Sequence, residues 1–132
     1  MKYLVDTCVW RDYFQNRTSK GGRPLNEYAE KFFTKAILCL DTILIPDVVL
    51  EELNANYDVT GILMLLKLEK LTSTKTLLKE AKLLSQKLKV PFIDAVVALH
   101  SANNKVILVT RDTHFFNDLK EYCDAIRPED IK

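Results

Sequence analysis

Short apolar runs alternate with longer segments of helical periodicity along the whole chain, and this alternation limits the possible folds more than any other feature. The apolar runs cover residues 3–5, 42–45 and 106–110, and the helical patterns lie between them. Strands that alternate with helices are typical of βαβ units, whose strands pair in parallel. The sequence therefore predicts an α/β fold built on a parallel sheet.

The segments between the strands show the apolar stripes of amphipathic helices. Residues 75–89 show the pattern best, because Leu77, Ala81 and Leu84 recur at helical spacing while lysines occupy the other side. The remaining predictions are helices at residues 8–15, 25–40, 60–70, 95–102 and 116–122, a helix starting at Pro46 and Asp47, and extended pieces near Leu71 and at residues 124–127.

Length and composition favour one domain without a membrane segment. A chain of 132 residues supplies one core but too little for two, so residues 1–132 are predicted to form a single domain. No apolar run reaches the roughly 20 residues of a membrane-spanning helix, and Asp6 interrupts the first run too early for a secretory signal. We therefore expect a cytoplasmic protein with no membrane partner.

The cysteines and histidines argue against two kinds of site, whereas the net charge leaves a nucleic-acid partner open. The three cysteines are widely spaced without a CxxC pair, and the two histidines lack the close partner of a zinc motif. Both facts argue against a disulfide framework and against a zinc site. The net charge of +1 neither requires nor excludes a nucleic-acid partner, since the position of the charges decides this.

Four acidic residues occupy related positions relative to the predicted elements. Asp6 directly follows the first strand, and Asp112 follows the strand at residues 106–110 after a single arginine. Ligands of open parallel sheets bind beyond the carboxyl ends of the strands, so these two acids meet there if the first strand is central. Glu52, on the helix after the second strand, can reach the same edge. Asp94 opens a later helix, which we expect to begin elsewhere and to reach across.

A cluster of carboxylates requires a cation, because neighbouring negative charges oppose each other's ionisation. Ligation by oxygen alone selects Mg²⁺ or Mn²⁺ over zinc, and one or two such ions can activate a water against a phosphodiester. Taken singly, each aspartate also fits a helix N-cap, and Glu52 also fits solvated helix surface. The set predicted to bind metal and act in catalysis is Asp6, Glu52, Asp94 and Asp112.

The sequence contains four motifs in the order LVDT, IPDVVLEEL, PFIDAVVALHSA and ILVTRDTHF. Together they resemble the PIN-domain nucleases, especially the toxin component of type II toxin–antitoxin pairs. The resemblance implies a three-layer α/β/α sandwich with a central parallel sheet. It also implies an endoribonuclease that cleaves single-stranded RNA with Mg²⁺ or Mn²⁺. By motif position it selects Glu52 rather than Glu51, and it adds Thr7, Thr110 and His114 as supporting residues.

The chain departs from the family pattern at two positions. Many relatives carry an aspartate where this chain has His114, and a small polar residue where it has Cys8. The histidine makes a possible fifth ligand neutral or cationic, so the number of metal ions stays open. The alternative function is therefore a catalytically weak or inactive PIN-like module that binds RNA or protein.

Basic residues near the acidic edge are expected to contact RNA phosphates. The predicted RNA-binding residues are Arg11 and Arg17, on or near the first helix, and Arg111 beside Asp112. The RNA itself, single-stranded or structured, is not specified. The resemblance also implies a homodimer and a small antitoxin protein that covers the acidic pocket, for which apolar helical surface such as residues 62–68 is available.

Two other enzyme classes with an acidic pocket fit the sequence less well. Haloacid-dehalogenase-type phosphatases need a second acid two positions after the first, where this chain has Cys8. A response-regulator receiver needs an aspartate at the end of a middle strand, where this chain has Ile45 and Pro46.

Overall fold

A computed structural model describes residues 1–15, 18–19 and 21–131, and in this part of the chain one sheet of five strands forms the framework. Every neighbouring pair of these strands is parallel. The order across the sheet is β3-β2-β1-β4-β5. The strands are β1 (Lys2–Val5), β2 (Thr42–Pro46), β3 (Lys67–Leu71), β4 (Ile107–Val109) and β5 (Asp124–Ile126).

Helices from the same described ranges cover both faces of the sheet. They are α1 (Thr7–Gln15), α2 (Leu25–Leu38), α3 (Asp47–Asn56), α4 (Thr60–Leu65), α5 (Lys75–Leu88), α6 (Phe92–Asn104) and α7 (Thr113–Phe116), followed by a 3₁₀ turn at Pro128–Asp130. Helix α1 packs against α2 and α3, while α6 packs against α5 and α7. The predicted three-layer α/β/α sandwich is confirmed. Within the described residues, no helix combines the length and the apolar character needed to cross a membrane.

Strand β1 lies at the centre of the sheet, where the direction of winding reverses. The chain leaves β1 for β2 on one side and returns on the other side with β4. A crevice opens at such a reversal, beyond the carboxyl ends of the two strands. The amide of Asp6 donates a hydrogen bond to the carbonyl of Val109 over 3.0 Å, so the pairing of β1 and β4 extends to the first residue beyond β1.

Aromatic packing fixes α1 and α2 on the sheet. Trp10 and Phe33 are buried almost completely, and their ring centroids lie 4.5 Å apart. Burying such aromatic side chains contributes several kcal/mol each in order of magnitude. Helix α1, which starts directly after β1, is therefore held firmly beside the crevice.

Two predicted helices differ from the observed elements. Residues 60–70 were expected to be one helix, but α4 ends at Leu65 and the edge strand β3 follows from Lys67. The sequence KLEKL favours helix locally, and its pairing with β2 overrides that preference. The helix expected at residues 116–122 is wrong in position, because α7 starts at Thr113 under the cap of Asp112 and ends at Phe116.

A polar network ties the start of α3 to the end of β3 and to α6. The Ser73 hydroxyl lies 2.6 Å from Oδ1 of Asp47 and 2.9 Å from Nε2 of His100, and the Ser73 amide donates to Oδ2 of Asp47. The His100 side chain is buried. Because a buried polar group without a partner is costly, Ser73 fixes how these elements meet.

We therefore expect Ser73→Ala to lower the free energy of unfolding by about 1–3 kcal/mol, since it removes the hydroxyl that contacts both His100 and Asp47. Urea denaturation measures the difference. The neighbouring, exposed Thr72 supplies the control, and Thr72→Ala should change the free energy of unfolding by less than about 0.5 kcal/mol. Equal effects of the two substitutions would contradict the structural role of Ser73.

Candidate metal site

The carboxyl ends of β1 and β4 border a cavity of about 220 Å³, and all four predicted acids line it. Glu51 is exposed and does not line this cavity. The lining consists of Asp6, Thr7, Cys8, Arg11, Glu52, Pro91, Ile93, Asp94 and Asp112. The structure thus brings together acids that lie far apart in the sequence.

Asp6 is the most tightly held acid of the cavity. It is only 4% exposed, and Oδ1 accepts a hydrogen bond from the amide of Thr7 over 2.8 Å. Oδ2 accepts hydrogen bonds from the Thr110 hydroxyl at 3.0 Å and from the Cys8 thiol at 3.4 Å. Burial raises the pKa of Asp6 to about 6 although these hydrogen bonds favour the ionised form. Thr7, Thr110 and Cys8 therefore orient Asp6.

Asp94 lies in the first turn of α6, and the path of that helix differs from the prediction. Only Lys105 and Val106 separate α6 from β4, so α6 runs antiparallel to β4 and begins at the strand's carboxyl end. It does not reach across from elsewhere. Pro91 occupies the N-cap position of α6, and no side chain caps the helix there, so Asp94 has no capping role.

The Asp94 carboxyl group is buried without full compensation. The residue is 9% exposed, and among the described residues its Oδ2 atom has no hydrogen-bond partner. Burial raises the pKa of Asp94, and the neighbouring carboxyl groups of Asp112, Asp6 and Glu52 raise it further. A buried oxygen of this kind is costly unless a hydrogen bond or a cation satisfies it.

Asp112 both caps α7 and faces the cavity. Its Oδ1 accepts a hydrogen bond from the amide of His114 over 2.9 Å, and its own amide donates to the Thr110 hydroxyl over 3.0 Å. Asp94, Asp112 and His114 each offer one ligand atom, and these atoms lie within 4.8 Å of one another. Across the described part of the chain, this compact group contains neither Asp6 nor Glu52.

Glu52 and Arg11 form an ion pair at the mouth of the cavity. Oε2 of Glu52 lies 3.2 Å from Nη2 of Arg11, and the two side chains are 32% and 43% exposed. Oε1 of Glu52 also accepts a long hydrogen bond of 3.5 Å from the Thr7 hydroxyl. The cavity therefore has a basic group at its solvent-facing side.

Arg111, which was predicted to bind RNA, does not line the cavity. Its Nε lies 2.9 Å from Asp12 and its Nη1 lies 2.8 Å from Glu129, and the side chain is only 14% exposed. The buried Asp12 and the partly buried Glu129 thus hold the guanidinium away from the cavity. Arg17, also predicted to bind RNA, lies outside the described residues.

The sequence analysis missed Asp12 and Glu129, which fix the segment that carries Asp112. Both bind Arg111 from distant parts of the chain. Asp12 lies among the buried residues of α1. The one sequence signal that could have identified it is a charged residue on the apolar side of a predicted helix. Glu129 follows no recognisable pattern.

Comparisons with known proteins agree with this geometry. The family model of the PIN domain matches residues 3–121. No curated protein sequence matches the chain significantly. Several solved structures are similar in fold, including the following three. A toxin–antitoxin complex from Klebsiella pneumoniae has a TM-score of 0.63 and 17% identity, covering 98% of this chain and 99% of that one.

The other two structures come from different organisms. FitAcB from Neisseria gonorrhoeae has a TM-score of 0.66 and 14% identity, covering 98% of this chain and 99% of that one. VapBC2 from Rickettsia felis, bound to a DNA fragment from their promoter, has a TM-score of 0.58 and 18% identity, covering 96% and 97%.

The raised pKa of Asp94 leads to a prediction about stability in the absence of divalent metal ions. The unfolded chain ionises Asp94 near its ordinary pKa of 3.8, and the folded protein does so only at higher pH. The folded state therefore loses stability as the pH rises from about 4 towards neutral. In EDTA near neutral pH, Asp94→Asn should raise the free energy of unfolding by about 1–2 kcal/mol, allowing for solvent screening.

Urea denaturation at several pH values tests this prediction. Protonated aspartate is similar to asparagine, so the difference in the free energy of unfolding between the two proteins should vanish near pH 4, close to the ordinary pKa of aspartate, about 3.9. An Asp94→Asn protein that is less stable than the wild type at neutral pH in EDTA would contradict the electrostatic description of the cavity.

Proposed function

Because this chain belongs to the PIN-domain family, we propose that it is a metal-dependent endoribonuclease that hydrolyses phosphodiester bonds of single-stranded RNA. PIN domains are in general nucleases. The finer assignment, to RNA and to Mg²⁺ or Mn²⁺, rests on the chemistry of the cavity.

The buried carboxyl group of Asp94 is the observation that carries this proposal. Its Oδ2 atom has no partner among the described residues and lies in a cavity with Asp6, Glu52 and Asp112. Such a group of acids is unfavourable without a cation, and a divalent ion with oxygen ligands relieves both the repulsion and the missing contact. The residues of this cavity therefore fit a divalent metal ion.

Asp94 and Asp112 would hold the ion, with Asp6 held beside them by Thr7 and Thr110. A bound divalent ion supplies Lewis acidity, which lowers the pKa of water and stabilises negative charge on a phosphodiester. The reaction joins a water oxygen to phosphorus and breaks the bond from phosphorus to the leaving sugar oxygen, which takes up a proton from solvent water. In this arrangement the protein supplies fixed acidic ligands rather than a covalent nucleophile.

Glu52 and Arg11 would act on the substrate from the mouth of the cavity. Arg11 is partly exposed and carries a positive charge that can pair with an RNA phosphate. When it does so, Glu52 loses its ion-pair partner and becomes free to accept a proton from the attacking water. RNA binding would thus release Glu52 from its ion pair with Arg11 and make Glu52 available as the general base.

We also propose a small antitoxin partner and a homodimer. One similar solved structure is a toxin–antitoxin complex. On this chain α4 exposes Met64 by 80% and Leu65 by 65%, while Ile62 and Leu66 are buried. The exposed apolar surface is therefore smaller than the one expected over residues 62–68, and Met64 and Leu65 form a patch that a partner would cover.

Cleavage of mixed single-stranded RNAs in Mn²⁺, in Mg²⁺ and in EDTA tests the proposed activity. We expect the wild type to cleave only with metal, and Asp94→Asn to cleave at least about a hundredfold more slowly, since the loss of several kcal/mol of stabilisation corresponds to such a factor. Gel electrophoresis of end-labelled RNA measures the rates.

The control for this experiment is Asp124→Asn, because Asp124 is exposed at the start of β5, at the opposite end of the strands. It should cleave like the wild type. Metal binding without cleavage by any of the proteins would favour the RNA- or protein-binding module instead. Equal cleavage by the wild type and Asp94→Asn would overturn the assignment of the site.

Arg11 gives a second prediction, on RNA affinity. Arg11→Ala should weaken binding and reduce the slope of log affinity against log salt by about 0.7, the contribution of one phosphate contact on a single strand. Fluorescence anisotropy over a salt series, in EDTA to prevent cleavage, measures this slope. Lys79→Ala, on the exposed side of α5, should leave it unchanged. A slope that Arg11→Ala does not alter would exclude Arg11 from the RNA interface.

A further inference from the structure

We propose that His114 is a nitrogen ligand of the metal ion, so that the site prefers a first-row transition ion such as Mn²⁺ over Mg²⁺. This inference rests on the metal site of the proposed function and concerns its ligands and selectivity. The cavity was predicted to use oxygen ligands alone, with His114 only in support.

The ligand geometry points to a mixed site. One atom each from Asp94, Asp112 and His114 lie within 4.8 Å of one another, which is close enough for a single ion to contact all three. Asp6 lies outside this compact group, and Thr7, Thr110 and Cys8 donate hydrogen bonds to its carboxylate. The residues whose ligand atoms lie closest together are thus two carboxylates and one imidazole.

The buried oxygen of Asp94 is an independent sign that this group binds a ligand. A carboxylate cluster at a protein surface needs no ion, since water solvates it. Asp94 is 9% exposed, however, and its Oδ2 has no hydrogen-bond partner in the described part of the chain. A cation beside His114 and Asp112 would satisfy that oxygen.

Asp118 orients the imidazole in the way that metal-binding histidines require. Nδ1 of His114 lies 3.2 Å from Oδ2 of Asp118, four residues further along the chain and beyond the end of α7. A carboxylate that accepts the Nδ1 proton fixes the tautomer and leaves Nε2 free to donate its lone pair. The backbone contributes as well, because the His114 amide donates to Asp112. Asp118 is therefore a positioning residue for His114.

The ligand types determine which ions the site favours. Mg²⁺ prefers six oxygen ligands in regular octahedral geometry and gives up its waters reluctantly. Imidazole nitrogen suits first-row transition ions better than it suits Mg²⁺. Replacing one oxygen ligand by Nε2 therefore lowers the relative affinity for Mg²⁺, and Mn²⁺ is the transition ion that still accepts the two carboxylates readily.

Pulsed electron paramagnetic resonance of the Mn²⁺-loaded protein tests the ligand directly, because a coordinated imidazole nitrogen adds ¹⁴N modulation to the Mn²⁺ signal. We expect this modulation in the wild type and its loss in His114→Gln. His100, the other histidine of the chain, remains in that variant with Nε2 beside Ser73, so it controls for nitrogen that is not a ligand. Asp118→Asn should keep the modulation while weakening Mn²⁺ binding by about tenfold or more.

Calorimetric titration with Mn²⁺ and with Mg²⁺ tests the selectivity. His114→Asp restores an oxygen ligand and should lower the ratio of Mn²⁺ affinity to Mg²⁺ affinity by roughly tenfold. The His114 side chain is 36% exposed, so neither variant should unfold, and circular dichroism verifies this.

The outcomes separate this inference from the proposed activity. Mn²⁺ binding without ¹⁴N modulation, or a ratio that His114→Asp does not change, would overturn the role of His114 even if RNA is cleaved. Modulation that depends on His114 in a protein that cleaves no RNA would support the ligand and refute the activity. A protein that binds neither ion would refute both.

Discussion

Parallel pairing between β1 and β4 is the constraint on which the candidate site depends. It places the residues that follow two distant strands at one edge, and the hydrogen bond from Asp6 to Val109 extends that pairing beyond β1. The two layers of helices then cover the faces of the sheet and leave this edge open. Helix α6 adds Asp94 because it runs antiparallel to β4 and begins where the strand ends.

The acids of the cavity oppose the stability of the fold that holds them. Burial raises the pKa of Asp6 and of Asp94, so both groups cost free energy when they ionise. The surrounding structure offsets this cost with well-packed aromatic side chains and with the polar network around Ser73. A free-energy cost of this kind is common at functional sites, and ligand binding recovers part of the cost.

The sequence predicted the main features of the fold and the acidic cavity, but not the details that depend on tertiary contacts. Alternating patterns were sufficient for the α/β class, and the position of Asp6 after β1 was sufficient to indicate the edge. Strand β3 was predicted only as an extended piece near Leu71, because KLEKL favours helix until β2 pairs with it. The position of Arg111 could not be predicted from its place beside Asp112. Neighbouring residues of an extended chain point to opposite sides, so Asp112 faces the cavity while Arg111 meets Asp12 and Glu129.

The ion pairs of Arg111 also bear on the order in which the protein assembles. Asp6 and Glu52 leave the ribosome early, whereas Glu129, which holds Arg111 next to Asp112, is synthesised after every residue of the cavity. Until Glu129 emerges, Arg111 lacks one of its two acids, and the segment with Asp112 is less firmly placed. A nascent chain would therefore complete its acidic cavity only at a late stage of synthesis, which delays any activity until the sheet itself has formed.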